Sequence, residues 1–334
     1  MRRCAVLLAP LALLAAPLAA RAQTPTTPTT PAPAASITLR IQHLFGQPFL
    51  ATGSKLTVHG TLAPSVAGQT VTVTFSRDGR TRASHTVTVG AGGRFVVRYA
   101  SPKAGLVSFT ATHAATTTLG AASATGPVRV RFVSPNMPFG SRGPAVWVLQ
   151  RHLAALHFYV PQSSVYDLGT QLAVEAYRKM LGLARVYTVD GQVLRELSRG
   201  RGVWHVRYSG DGRHVEADLS KQLLALINPH GKVYDIFQVS SGKPSTPTVL
   251  GRFSVYEQSP GYNSEGMYFS SYFIRGYAIH GYDPSPTYPA SHGCLRLPIS
   301  DAIFVYGWLR VGTPVDVYYE DGRASAPISD HAGP

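Results

Sequence analysis

The hydrophobic and polar positions of this 334-residue chain change period twice. From Ile37 to about Phe132 the period is two. Leu56 and Val58 alternate with Thr57 and His59, and Val71, Val73 and Phe75 alternate with Thr70, Thr72 and Thr74. Phe95, Val97 and Tyr99, then Val107, Phe109 and Ala111, repeat the spacing. Successive side chains of a strand point to opposite faces, so each run predicts a half-buried strand. Asp78-Gly79, Gly92-Gly93 and Lys103-Ala104-Gly105 separate the runs as turns. Short strands at this interval predict an Ig-like β-sandwich over 37–132, with no cysteine pair to link its sheets.

From Phe139 the period becomes helical. Val146, Leu149, Leu153 and Leu156 share one helix face, behind Pro144 at a first-turn position. A second helix is expected from Thr170 as N-cap, with Ala173, Tyr177 and Met180 on one face and Gly182 as its stop. Val193, Leu194 and Leu197 predict a short third helix after the turn at Asp190-Gly191. These helices occupy 137–200. Strands return after Arg213. Lys221 to Ile227 and Lys232 to Val239 read as a pair joined at Asn228-Pro229-His230-Gly231. Phe253 to Tyr256, Tyr277 to Ile279 and Val315 to Tyr319 read as further strands, and Ala302 to Leu309 as a helix capped by Ser300 or Asp301. The chain is therefore expected to be multidomain and mainly β.

The first residues carry a different signal. Arg2 and Arg3 precede an uncharged apolar run from Ala5 to Ala19, and Ala20-Arg21-Ala22 has the small-x-small form of a cleavage site. This predicts an export signal over 1–22, too short to anchor the chain across a bilayer. Residues 23–36, rich in Thr, Pro and Ala, read as an extended linker, and 321–334 as a loose tail. Losing Arg2, Arg3 and Arg21 lowers the formal charge from +14 to +11. A basic exported chain is drawn to anionic cell-wall polymers. The absence of a basic run argues against nucleic acid, and no later stretch is apolar enough to span a membrane.

Cleavage would also remove Cys4 and leave Cys294 alone. An unpaired thiol in an oxidising compartment is a liability unless it is used. His280-Gly281 lies upstream, and Ser291-His292-Gly293-Cys294-Leu295-Arg296-Leu297 surrounds the cysteine. Thiol, imidazole and guanidinium are the parts of a thiolate nucleophile with a base and an anion partner. On residue type either His280 or His292 fits the base. Gly293 and Cys294 offer backbone N–H groups to an oxyanion. A zinc site on His280, His292 and Cys294 lacks an evident fourth ligand. An inert buried cysteine is the bland alternative.

The same residues resemble the signature of the L,D-transpeptidase catalytic domain. Ser241-Gly242-Lys243-Pro244 and Thr246-Pro247-Thr248 with Gly251-Arg252-Phe253 resemble earlier segments of that family, so the likeness spans about 213–320. It implies a mostly β catalytic fold that acts on peptidoglycan stem peptides outside the cytoplasm, in the cell wall or periplasm, with no cofactor or metal. It implies Cys294 as nucleophile, His280 as proton donor and acceptor, His292 in orientation or substrate binding, and a Gly293 oxyanion donor. Arg296, Ser291, Gly281, Tyr268 and Tyr282 become candidate substrate contacts. The implied reaction passes through a Cys294 thioester with release of D-alanine and makes 3→3 cross-links. Water in place of the acceptor amine would make an L,D-carboxypeptidase, and a wall-binding protein without catalysis is the non-enzymatic alternative. Gly140-Ser141-Arg142-Gly143-Pro144-Ala145-Val146, Tyr166-Asp167 and Ala173-Val174 resemble a three-helix peptidoglycan-binding module. In this chain Ala176-Tyr177-Arg178-Lys179 stands where that module more often has an aromatic followed by glutamine.

Overall fold

The computed structural model describes residues 31–322. The expected export signal, residues 23–30 of the linker and 323–334 of the tail lie outside the described residues.

Nine strands come first: β1 Ser36–Ile41, β2 Phe49–Ala51, β3 Lys55–Ala63, β4 Thr70–Arg77, β5 Arg80–Thr88, β6 Arg94–Ala100, β7 Gly105–His113, β8 Ala122–Thr125 and β9 Val130–Val133. One sheet runs β1-β3-β6; the other runs β2-β9-β7-β4-β5, with β8 on β7. The alternating apolar residues of both sheets meet in one core holding Leu56, Val58, Val71, Val73, Phe95, Val97, Val107 and Phe109. Phe75 stacks on Tyr99 at 4.5 Å across that core. Asp78 and Gly79 both adopt positive φ and close the β4–β5 hairpin in two residues, a turn whose twist suits paired strands.

Three helices follow: α1 Pro144–Ala155, α2 Leu168–Met180 and α3 Gly191–Ser198. Pro144 sits in the first turn of α1. The α2 cap is Asp167, not Thr170: Asp167 Oδ1 accepts the Thr170 N–H at 2.9 Å and the Thr170 hydroxyl at 2.7 Å. Thr170 thus occupies the third helical position, where its N–H needs an acceptor that an aspartate supplies. Asp190 caps α3 in the same way through the Val193 N–H.

The rest of the chain holds β10 His214–Asp218, β11 Leu223–Ile227, β12 Val233–Gln238, β13 Gly251–Ser254, β14 Glu257–Tyr262, β15 Tyr268–Ile274, β16 Tyr277–Gly281, β17 Leu295–Leu297, α4 Ile299–Trp308 and β18 Pro314–Tyr318. Two sheets result, ordered β12-β11-β10-β18-β13 and β14-β15-β16-β17. The helix α4 starts at Ile299, three residues before the sequence expectation. No side chain caps it, and Pro298 holds the N-cap position instead of Ser300 or Asp301. Strands β10, β14, β15 and β17 have no counterpart in the sequence reading. Among them, β14 and β15 contain register shifts that break a two-residue period.

All five residues of β11 are buried, because both faces of its sheet are covered. Leu224 and Leu226 pack with β16 and β17 in the core beneath α4. Leu223, Ala225 and Ile227, with Ile236 of β12, pack instead against α1, α2 and α3. That second core also takes in Phe49 and Ala51, so it joins the sandwich to the helices. The helical segment covers the free edge of β12 as well. Ile236 donates its N–H to His157 O at 2.7 Å, and Tyr159 donates its N–H to Ile236 O at 3.0 Å.

Exposing Leu223, Ala225, Ile227 and Ile236 to water would cost about 2 kcal/mol for each large side chain. Residues 213–322 expressed without the helices should therefore bind a hydrophobic dye and lack a cooperative thermal transition. A soluble fragment with a sharp melt would contradict the two-faced core.

Candidate active site

The site is built on the parallel pair β16–β17, in which Ile279 stands opposite Leu295, His280 opposite Arg296 and Gly281 opposite Leu297. Alternation sorts these residues onto two faces. Ile279, Leu295 and Leu297 enter the core with Ala302 and Val305 of α4. Their neighbours Ala278, His280, Cys294 and Arg296 take the other face. There Cys294 packs with Ala278, Met267 and Tyr272, and it is 8 % exposed. Its Sγ lies 3.7 Å from the Gly276 carbonyl and 3.9 Å from Met267 Sδ.

The imidazole of His280 is 2 % exposed, and its Nδ1 lies 2.9 Å from Gly281 O. A carbonyl can only accept, so Nδ1 carries the proton and Nε2 presents a lone pair. Burial pushes the His280 imidazole down to about 4, and the Arg296 charge acts the same way against the bond to Gly281. Burial pushes the Cys294 thiol up, while a backbone hydrogen bond from Ala278 and the Arg296 charge favour its thiolate. The Arg296 guanidinium lies over the Tyr282 ring, 3.8 Å from its centroid. Its Nη1 donates to Ala290 O at 3.4 Å, and its Nε is buried without a partner.

The turn into the cysteine is fixed from inside. The buried Ser291 hydroxyl donates to Cys294 O at 2.6 Å and accepts the Gly293 N–H at 3.0 Å. The Ser291 hydroxyl thus makes both of these bonds inside the turn, which it fixes. The Gly293 N–H of the expected oxyanion pair is engaged by Ser291. Gly293 itself is required by conformation: its φ is +127°, and an added Cβ would lie 1.9 Å from the Tyr277 ring. Gly281 is also enclosed, with α4 Ala302 Cβ 2.8 Å from where its own Cβ would be. Its contribution is close packing on α4 and the carbonyl that orients His280.

Tyr268 stands opposite Gly281 and is partly buried against the core that holds Leu295 and Leu297. Met267 and Tyr272 lie beside the sulfur, where β15 shifts register. Tyr282 does join the site, beside His280 at 6.4 Å between ring centroids. His292 is exposed, and its Nε2 lies 3.4 Å from Lys243 Nζ. Lys243 is held there by its N–H bond to Ser291 O at 3.0 Å. Among the described residues no three His, Cys, Asp or Glu side chains gather as a metal site.

A family model of the L,D-transpeptidase catalytic domain (YkuD) matches residues 212–317. The crystal structure of an L,D-transpeptidase from Xylanimonas cellulosilytica is 34% identical over 55% of this chain and 98% of its own, with a TM-score of 0.50. An L,D-transpeptidase from Stackebrandtia nassauensis is 20% identical over 58% of this chain and 98% of its own, with a TM-score of 0.37. One from Mycobacterium smegmatis is 12% identical over 84% of this chain and 99% of its own, with a TM-score of 0.29. No curated protein matches the chain. The chain belongs to the L,D-transpeptidase family, whose members act on peptidoglycan stem peptides. No helix among the described residues is long and apolar enough to cross a membrane.

Replacing Gly293 by alanine forces a methyl group into the Tyr277 ring at a disfavoured φ. The expected loss of stability is about 2–5 kcal/mol, read as a lower midpoint in chemical denaturation. An unchanged midpoint would show that the turn relaxes freely.

Proposed function

We propose that this chain is an exported L,D-transpeptidase whose nucleophile is Cys294 and whose base is His280. The observation that supports it best is the single strand-pair face shared by Cys294, His280 and Arg296. In this reading His280 Nε2 takes the thiol proton, and the sulfur attacks the carbonyl between a diamino acid and a terminal D-alanine. The C–N bond breaks, D-alanine leaves with the proton returned by His280, and a thioester remains. The side-chain amine of a second stem then attacks the thioester to give a 3→3 cross-link and free the thiol.

The Arg296 guanidinium, with one N–H unused, suits the carboxylate of the terminal residue. The Cys294 N–H is the proposed oxyanion donor. Residues 1–22 are proposed as a cleaved export signal, 37–132 as an Ig-like spacer, 137–200 as a peptidoglycan-binding-like segment and 213–320 as the catalytic unit. The basic charge favours residence in an anionic wall.

Incubating the protein with a defined tetrapeptide stem and analysing by mass spectrometry should yield cross-linked dimer, and Cys294→Ala should abolish it. Tripeptide alone would make the enzyme a carboxypeptidase; dimer from the Cys294→Ala protein would remove the sulfur from the mechanism. A second expectation concerns pH. His280 stays neutral, and so able to accept a proton, down to about 4. The acid limb of kcat/KM for acylation should fall near pH 4, not near the 6.5 of a free imidazole. A limb between 6 and 7 would deny His280 the role of base.

A further inference from the structure

Residues 282–290 connect His280 on β16 to the turn that carries Cys294, and this loop is held by side chains from two directions. Its own domain supplies the first set. The Ser240 hydroxyl donates to Tyr288 O at 2.6 Å, and the Ala290 N–H donates to Ser241 O at 2.9 Å. The helical segment supplies the second. Just beyond α2, Arg185 Nη1 donates to Thr287 O at 3.1 Å.

On α2 itself, the fully buried Lys179 ammonium pairs with Glu175 at 3.1 Å. It also donates to Gln238 Oε1 at 2.9 Å and to Val239 O at 3.2 Å. An ammonium only donates, so it fixes the Gln238 amide with its oxygen toward α2 and its NH₂ toward the loop. That NH₂ donates to Ser285 Oγ at 3.3 Å, and the Ser285 hydroxyl in turn donates to Arg296 O at 3.4 Å. The chain of donors runs one way, from the helix through β12 and the loop to the strand that bears Arg296.

We propose that the helical segment is part of the transpeptidase site, with Lys179 and Arg185 as positioning residues that hold the loop between His280 and Cys294 in its reactive shape. The proposal rests on the reading of Cys294 as nucleophile. Two features support a task in positioning over general stability. Both tethers end on the one loop between the two reactive side chains. A buried ion pair contributes little net stability beside apolar packing, and in several proteins such a pair selects one arrangement of the elements it joins.

The test uses the full chain after signal removal. Lys179→Met would strand Glu175 in the core and threaten folding, so Arg185→Gln and Ser285→Ala are the variants of choice. Each should slow acylation of Cys294 by a carbapenem about tenfold, the scale of a small misplacement of reacting groups, and should raise hydrogen exchange in 282–290. The melting midpoint should stay near that of the parent, and Arg185→Lys, which keeps a donor, should recover part of the rate. Unchanged acylation and unchanged loop exchange in both variants would overturn the proposal. So would a rate loss matched by a lower midpoint with no change in loop exchange, since that is the mark of general destabilisation. Running the exchange comparison in a Cys294→Ala background separates the two readings. Persistent acylation of Cys294→Ala would refute the nucleophile, whereas the exchange data judge the tether alone.

Discussion

The parallel register of β16 on β17 is the constraint from which the site follows. Ile279, Leu295 and Leu297 are buried in the core below, and each full burial is worth about 2 kcal/mol. A slip of one residue would turn Cys294 and Arg296 into that core and their leucine neighbours out of it. The three-residue β17 is fixed on its far side too, since Arg296 N and Ser240 O, and Ser240 N and Arg296 O, exchange two bonds of 2.9 Å. The placement of the sulfur is therefore set by leucine burial and backbone bonding, not by any interaction of the sulfur itself.

The same burial acts oppositely on the Cys294 thiol and the His280 imidazole. Desolvation penalises whichever form is charged, so it raises the thiol and lowers the imidazole. Both favour the neutral state at rest, and the imidazole remains an acceptor in acid where a free histidine would be protonated. The Ala278 N–H and the Arg296 charge lie on the side of the thiolate. In a site shielded from water, such fixed donors act more strongly than they would in solvent. The opposite shifts of thiol and imidazole thus arise from one choice of face on a strand pair.

Much of this was legible because the relevant signals are local. Pro144 in a first turn, Asp78-Gly79 at a hairpin, and the residues from Ser291 to Leu297 each carry their geometry in a few neighbours. The rest depends on which partner each group binds, and residue type alone does not reveal that. Thr170 looked like a cap because its hydroxyl suits the role, yet Asp167 stands three residues earlier and binds its N–H. Met267 and Tyr272 line the sulfur where β15 shifts register, and no local period marks them. Gly293 was expected to serve through its N–H; the conformation demands the glycine, and Ser291 takes the N–H. Lys243 beside His292 was visible only as part of a family-like segment, since nothing in its spacing foretold the contact.

The run Leu223-Leu224-Ala225-Leu226-Ile227 explains why the helices cannot be a detached appendage. A strand with no polar alternation needs cover on both faces, and α4 with the second sheet can cover only one. The other face requires α1, α2 and α3. Once α2 lies on β12, any charge on its inner side is cut off from water. Lys179, at a place where the peptidoglycan-binding resemblance fails, meets that condition and is partnered by Glu175 one turn earlier and Gln238 across the junction. Removing one member of such a pair costs about 3–5 kcal/mol. Apolar contacts alone would tolerate a helix sliding along the strand; an ammonium that must reach one carboxylate and one amide does not. The apolar strand thus brings the helices onto the sheet, and the buried cation binds α2 to Gln238 and Val239 at the end of β12.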